Sequence, residues 1–244
     1  MRILHLYPDE MNLYGSYANL TVLTRQWEAL GQTVTVIPVK QGDTVDFTDV
    51  DLVYMGAGTE RARDAVLARM QRFAKPLASA VAAGLPLLFV GTALELLGQT
   101  ITASDGTVAN GLGIAEFAVT QTATRIVGDV LGDSGLCGEP VVGFMNKCTH
   151  LTGVTTPLIS ACRLGFGNAA EKDGEGWRKG NALGSELTGP LLVKNPALLR
   201  AVTEIVWNYK EIPLPETWPE EPYAAAGYAQ TVQQLTLRAN ANGG

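Results

Sequence analysis

Histidine is scarce in this chain: His5 and His150 are the only two in 244 residues, so a mechanism that needs an imidazole has two suspects. Cysteine is nearly as sparse. Cys137, Cys148 and Cys162 are odd in number and lack the short spacing of a metal site; with no apolar N-terminal signal region, they point to a reduced, cytoplasmic protein. No apolar run approaches the roughly 20 residues of a membrane helix, which argues against membrane insertion. An excess of basic charge is also missing. A net charge of −6 and a pI near 5.0 would not draw nucleic acid or an anionic membrane, leaving small molecules or proteins as partners. No G-x-x-x-x-G-K-[ST] occurs, and the G-x-G at Gly56-Ala57-Gly58 lacks the further glycine of a dinucleotide fingerprint, so no cofactor is expected.

What is present is apolar and alternating. With 46% apolar residues the chain can bury one good core, and one large α/β domain is the first expectation. Arg2 to Tyr7 reads as a strand. Ser16 to Gly31 reads as a helix with Leu20, Leu23, Trp27 and Leu30 on one face, and Thr33 to Val39 as a second strand. Asp51 to Met55 is a third strand, ending in G-A-G-T-E at Gly56 to Glu60. The helix after it should break or kink at Pro76, before a second helix runs to Gly84. This alternation is that of a doubly wound sheet.

The chain centres on Leu85 to Gly98, L-P-L-L-F-V-G-T-A-L-E-L-L-G. An apolar run breaks at Gly91 and Thr92 and resumes as a helix-like segment, which is how a buried parallel strand feeds a helix through a sharp turn. Such an elbow exposes one residue, here Gly91, with the helix N-terminus aimed at whatever binds there. Beyond it, Gly111 to Thr120, Thr124 to Val130, Val141 to Asn146 and Ala182 to Leu187 read as short strands added antiparallel to the main sheet. Pro196 to Lys210 is a helix that Asn195 can cap. Residues 1–210 are thus read as one domain, 211–222 as a proline-rich linker, and 223–244 as a helix to about Leu237 followed by a disordered tail.

Several residues carry possible chemistry. The N–H groups of the Gly56-Ala57-Gly58 turn could meet a ligand carbonyl or developing oxyanion, although read alone the turn is an ordinary tight one. Arg125, in T-R-I-V-G, could bind a carboxylate through a bidentate pair, although a lone arginine at a strand start is commonly a solvated residue. Cys148 and His150 lie two apart in N-K-C-T-H; on an extended strand they share a face, as a thiolate and base would. Without a third orienting group they equally fit a packed cysteine and a loop histidine.

Taken together, the segments resemble the amidotransferase subunit of bacterial lipid II isoglutaminyl synthase, a cobyric acid synthase-like class I glutamine amidotransferase that pairs with a Mur ligase-like subunit. The similarity spans residues 3 to 210. It rests on L-Y-P-D-x-M-N-L-Y-G (Leu6 to Gly15), the turn at Gly56 to Gly58, G-L-G-I (Gly111 to Ile114), R-I-V-G (Arg125 to Gly128), G-F-x-N (Gly143 to Asn146), G-x-G-N (Gly165 to Asn168), E-G (Glu175 to Gly176) and G-P-L-L-x-K-N-P (Gly189 to Pro196). In that family the elbow reads C-G-G-Y-Q-x-L-G, and its cysteine attacks the glutamine amide while a histidine in G-T-Y-L-H-G-P-L-L relays protons. The matching stretches here are G-T-A-L-E-L-L-G and G-S-E-L-T-G-P-L-L, so Gly91 stands at the nucleophile position and Thr188 at the histidine position. Y-G-D-R-G-N has likewise become Y-G-S-Y-A-N, with Ser16 and Tyr17 in place of a charged pair.

The resemblance implies a class I glutamine amidotransferase-like doubly wound sheet, with central parallel strands, helices on both faces and antiparallel additions. It implies no catalytic residue, and a ligand site of Arg125 as carboxylate binder with Gly56, Ala57, Gly58 and Thr92 around an oxyanion hole. Glutamine or a related small molecule is the ligand so implied. The leading expectation is a non-glutaminase subunit that supports or regulates a Mur ligase-like amide-forming enzyme. The alternatives are an enzyme with a repurposed pocket for transfer or hydrolysis, and a standalone small-molecule binder.

Overall fold

A computed structural model of the chain describes residues 1–219 and 221–241. Its centre is a six-stranded sheet in which β1 (Arg2–Leu6), β2 (Thr35–Val39), β3 (Leu52–Met55), β4 (Leu87–Val90) and β11 (Ala182–Ser185) run parallel, with β10 (Trp177–Lys179) antiparallel at the edge; the order is β10-β11-β4-β3-β1-β2. The inner strands β3 and β4 are buried on both faces, which is why they read L-V-Y-M and L-L-F-V with no charged residue. Ile3, Leu52, Tyr54, Leu88, Val90 and Leu183 face one layer, where Leu20, Leu23 and Trp27 of α1 (Tyr17–Ala29) meet Leu198, Val202, Val206 and Trp207 of α6 (Pro196–Tyr209). Leu4, Leu6, Val53, Met55, Leu87 and Phe89 face the other, where α2 (Glu60–Met70) and α3 (Ala74–Ala82) bring Val66, Met70 and Leu77. The break between α2 and α3 falls at Gln71–Phe73, and Pro76 sits in the first turn of α3, where its missing N–H costs no helical hydrogen bond.

The antiparallel strands take two forms. β10 extends the parallel sheet. The others gather in a second sheet, β12-β8-β7-β5-β6, made of β5 (Thr100–Thr102), β6 (Val108–Asn110), β7 (Ala118–Asp133), β8 (Pro140–Thr152) and β12 (Leu187–Thr188), with β9 (Ala161–Leu164) pairing β7. Its neighbours run antiparallel except β5, which is parallel to β7, and Ala182 to Ser185, expected antiparallel, runs parallel to β4 in the first sheet as β11. β7 and β8 absorb segments that read as separate short strands, while residues 111–117 connect β6 to β7. Val130, Val141 and Met145 turn toward the α1/α6 side of the core, and Leu131, Val142 and Leu164 turn the other way.

That outer face is covered by the C-terminal helix α7 (Pro222–Ala241), longer than the Tyr223-to-Leu237 expectation. Leu235, Val232 and Tyr228 pack on it, the Tyr228 hydroxyl donates to Pro140 O at 2.7 Å, and Arg238 pairs with Asp129. Ala239 to Ala241, expected in a disordered tail, are helical; residues 242–244 of that tail lie outside the described residues. Asn195 also departs from expectation. Its side chain does not cap α6; it bonds Val142 N and Val142 O at 2.8 Å each, and Leu191 O at 2.8 Å, tying the helix start to β8. No helix among the described residues is long and apolar enough to cross a membrane.

Candidate functional site

Open parallel sheets build their sites outside the carboxyl ends of the strands. Here the loop after β1, the Gly56 turn after β3, the elbow after β4 and residues 186–188 after β11 converge there on a cavity of about 280 Å³. Ala57, Gly58, Thr92, Arg125 and Thr188, all singled out in the sequence, line it together with Leu13, Tyr14, Thr59, Glu60 and Asn146. Gly56 and Gly91 are buried behind this lining.

At the elbow, Gly91 has φ 66° and ψ −140° between β4 and the single-turn helix α4 (Thr92–Glu95). This is the left-handed side of backbone space, which costs glycine little and other residues more. The space a side chain would need there is already filled. A Cβ on Gly91 would lie 2.5 Å from the Ala57 Cβ and 3.1 Å from its Cα. The opposite turn is equally crowded, since a Cβ on Gly56 would meet Ser16 Cβ at 2.6 Å and Met11 O at 2.7 Å.

The turn's N–H groups are engaged internally. Ala57 N–H donates to Ser16 Oγ at 3.1 Å, and Gly58 N–H donates to Thr92 Oγ1 at 2.9 Å, whose own hydroxyl returns a bond to Gly58 O at 3.0 Å. Two hydroxyl-bearing side chains, Ser16 and Thr92, thus occupy the Ala57 and Gly58 N–H groups. The Thr188 hydroxyl donates to Phe144 O at 2.9 Å, its strand neighbour across β12 and β8.

Arg125 reaches the cavity because β7 bulges. The pairing jumps from Gln121↔Thr149 to Ile126↔Lys147, leaving residues 122–125 opposite Cys148 alone, and such bulges re-aim side chains. The guanidinium meets a carboxylate belonging to the protein. Nη2 donates to Glu60 Oε1 at 2.5 Å, and Nη1 donates to Asn146 Oδ1 at 3.0 Å; Asn146 Nδ2 in turn donates to the Tyr14 hydroxyl at 2.9 Å. Glu60 opens α2, after the Thr59 side chain has capped Ala62 N–H. Burial works against its charge, but the Arg125 hydrogen bond and the Cys148 thiol outweigh it and hold the carboxyl below its ordinary range.

Cys148 and His150 do not form a pair. The Cys148 thiol donates to Glu60 Oε1 at 3.2 Å, and burial followed by that carboxylate pushes its pKa up. The His150 ring stacks on Phe166, centroids 5.7 Å apart. His5 is a buried strand residue, pushed down to about 4 by burial.

On the other face of β8, Lys147 and Thr149 enter a buried network. Lys147 Nζ pairs with Glu186 and donates to Gly167 O and Asn168 O at 2.9 Å each. The Thr149 hydroxyl lies 3.0 Å from Glu95 and 3.1 Å from Glu186, and Glu95 pairs with Arg63 of α2. Close by, Glu175 accepts from Ser185 and from Glu186 N–H. Burial pushes Glu175 up to about 7 and Glu186 up to about 8, the latter against the pull of Lys147.

Sequence reasoning passed over Glu60, Ser16 and the Ala57 methyl as occupants of this site. A signal existed for Glu60, an acid two residues after a strand-end G-x-G at a helix start. Its arginine is 65 residues away, and no local pattern names that partner.

A doubly wound sheet with a glycine elbow facing a G-x-G turn defines a fold of the class I glutamine amidotransferase type. Solved structures share it: a glutamine amidotransferase (TM-score 0.55, 16% identity, 83% of this chain and 98% of that one) and PurLQS from Thermotoga maritima (TM-score 0.55, 14% identity, 86% and 98%). The chain belongs to the CobB/CobQ-like glutamine amidotransferase domain family, which residues 2–196 match. Among curated relatives it is similar to the lipid II isoglutaminyl synthase (glutamine-hydrolyzing) subunit GatD of Staphylococcus aureus, 28% identical over 216 residues that span 87% of each chain. The GatD subunit of Streptococcus pneumoniae is 30% identical over 201 residues, covering 81% of this chain and 77% of that one.

Proposed function

We propose that this glutamine amidotransferase-like chain is a cytoplasmic, non-glutaminase subunit that supports or regulates a Mur ligase-like amide-forming enzyme. The observation that carries the reading is the elbow. Gly91 brings no sulfur to the position where the resembling family attacks glutamine, and the Ala57 methyl fills the space beside it. Thr188, at the position of the family's histidine, has no basic nitrogen and spends its hydroxyl on Phe144 O. Glycine cannot form a thioester, and threonine is no base near neutral pH. The partner is inferred from similarity to subunits of a synthase: a scaffold kept without its chemistry is useful chiefly through contact. A repurposed thiol enzyme is disfavoured, because Cys148 carries a raised pKa beside a carboxylate, opposite to what a working thiolate needs.

The test is ammonia release from L-glutamine by the chain purified alone and together with a Mur ligase-like protein encoded beside it. The expected rate is background, since losing a nucleophile and its base costs on the order of 10⁶. A rate within about a hundredfold of an active amidotransferase would overturn the non-glutaminase reading. A monodisperse monomer in the presence of that ligase would remove the partner.

A further inference from the structure

The Arg125 subsite already holds a carboxylate. Glu60 Oε1 takes the 2.5 Å bond from Arg125 Nη2, the second terminal nitrogen is turned to Asn146 Oδ1, and Cys148 adds a thiol donor to the same carboxylate oxygen. Asn146 is fixed in turn by the Tyr14 hydroxyl, so both partners of the guanidinium are supported by further hydrogen bonds. Glu60 does not wander into this position. It is the first residue of α2, directly behind a side-chain cap, and its backbone is set by the turn that packs under the elbow. A free carboxylate entering the cavity would have to displace a tethered one that carries no translational entropy cost.

From these contacts we infer that Glu60 is the resident occupant of the Arg125 subsite and excludes free α-amino acid carboxylates, glutamine included, from the pocket. The inference rests on reading this cavity as the counterpart of the family's glutamine pocket, and it decides against the expectation that Arg125 holds a ligand carboxylate. The other end of the cavity agrees. There the Ala57 and Gly58 N–H groups, two of the donors that would meet a carbonyl oxygen, are already bonded to Ser16 and Thr92.

The deciding experiment is calorimetric titration of the full-length chain with L-glutamine and, separately, with acetate. The wild-type protein should give no saturable binding of either. Glu60→Ala should gain Arg125-dependent binding of both probes, by about tenfold or more over wild type, the scale of one charge-assisted hydrogen bond. Glu60→Ala combined with Arg125→Ala should lose that gain. Should Glu60→Ala fail to fold, Glu60→Gln keeps the side-chain volume while removing the charge, and it should show the same gain in smaller measure. Wild-type binding of L-glutamine that Arg125→Ala abolishes would overturn the inference, as would a folded Glu60 variant with no gain. Either outcome leaves the partner reading standing, because that reading fails only on glutaminase turnover or on the absence of a complex.

Discussion

Two clusters of charge lie on opposite faces of β8, and they are built to different rules. On the cavity side, Arg125 and Glu60 form a pair whose side chains are 45% and 26% exposed, with neutral Asn146, Tyr14 and Cys148 around them. On the core side, Arg63, Glu95, Lys147, Glu186 and Glu175 are all buried, and each is held by at least one other polar group. Exposed pairs are screened by water and change at little cost. Buried charges are tied to one another, because removing a single partner strands the rest. The contrast means that residues lining the cavity can be exchanged at smaller cost than those packed behind the elbow. It also explains Glu95, which stands where the resembling family writes glutamine: burial pushes its carboxyl up, and Arg63 is in place to answer the charge.

The largest effect that would break this contrast is on the core side. Lys147→Met removes one cation, takes the side-chain donor from Gly167 O, and leaves the Glu186 carboxyl with only the Thr149 hydroxyl, while Asn168 O keeps its bond from Leu151 N–H. It should cost about 3–5 kcal/mol in urea denaturation. A loss under about 1 kcal/mol would put the core cluster in the same class as the surface pair.

A smaller effect comes from pH. Glu175 and Glu186, pushed up to about 7 and about 8 from an ordinary 4.5, keep protons in the native state that the unfolded chain has released. Their contribution is therefore full below pH 4.5 and is lost as pH rises through 7 and 8. His5, pushed down to about 4 from 6.5, acts oppositely, its contribution being present above 6.5 and lost as pH falls toward 4. Above pH 6.5 the carboxyls act alone, so stability should fall by on the order of 2 kcal/mol between pH 6.5 and 8.5, read as a falling Tm. Glu175→Gln should flatten that slope; an unchanged slope would mean that Glu175 is already ionised in the native state at pH 6.5. The smallest effect sharpens the contrast from the cavity side. Arg125→Ala should change stability by less than about 1 kcal/mol in the same urea assay, and a larger loss would make the cavity pair structural.

The parallel half of the fold was legible because its signals are local. Strands buried on both faces appear as apolar runs, Trp27 and Leu23 mark a helix face at 3.6-residue spacing, and Gly91 interrupts β4 where a turn must form. The second sheet was less legible, since Gln121↔Thr149 and Ile126↔Lys147 are pairings set by a bulge that no period reveals. Asn195 fits a helix cap by position, yet its amide is worth more bonded to both backbone groups of Val142. In the site, motif order brought Ala57, Gly58, Thr92, Arg125 and Thr188 to one cavity. What fills that cavity depends on contacts such as Arg125 with Glu60 and Ala57 with Ser16, which belong to distant parts of the chain.

The Ala57 methyl gives the molecule a direction in sequence space. One substitution at position 91 does not by itself make room for a cysteine, because its Cβ would enter a position 2.5 Å from that methyl while the backbone holds a conformation costly for a side chain. The order of changes matters: Ala57→Gly must come first, and alone it opens only a small void and gains no chemistry. A side chain at position 91 is thus reached only through a variant that first gives up packing at position 57, whereas glycine there needs no second change. A single methyl on one turn thereby couples what positions 57 and 91 can hold, although the two lie on separate loops of the sheet.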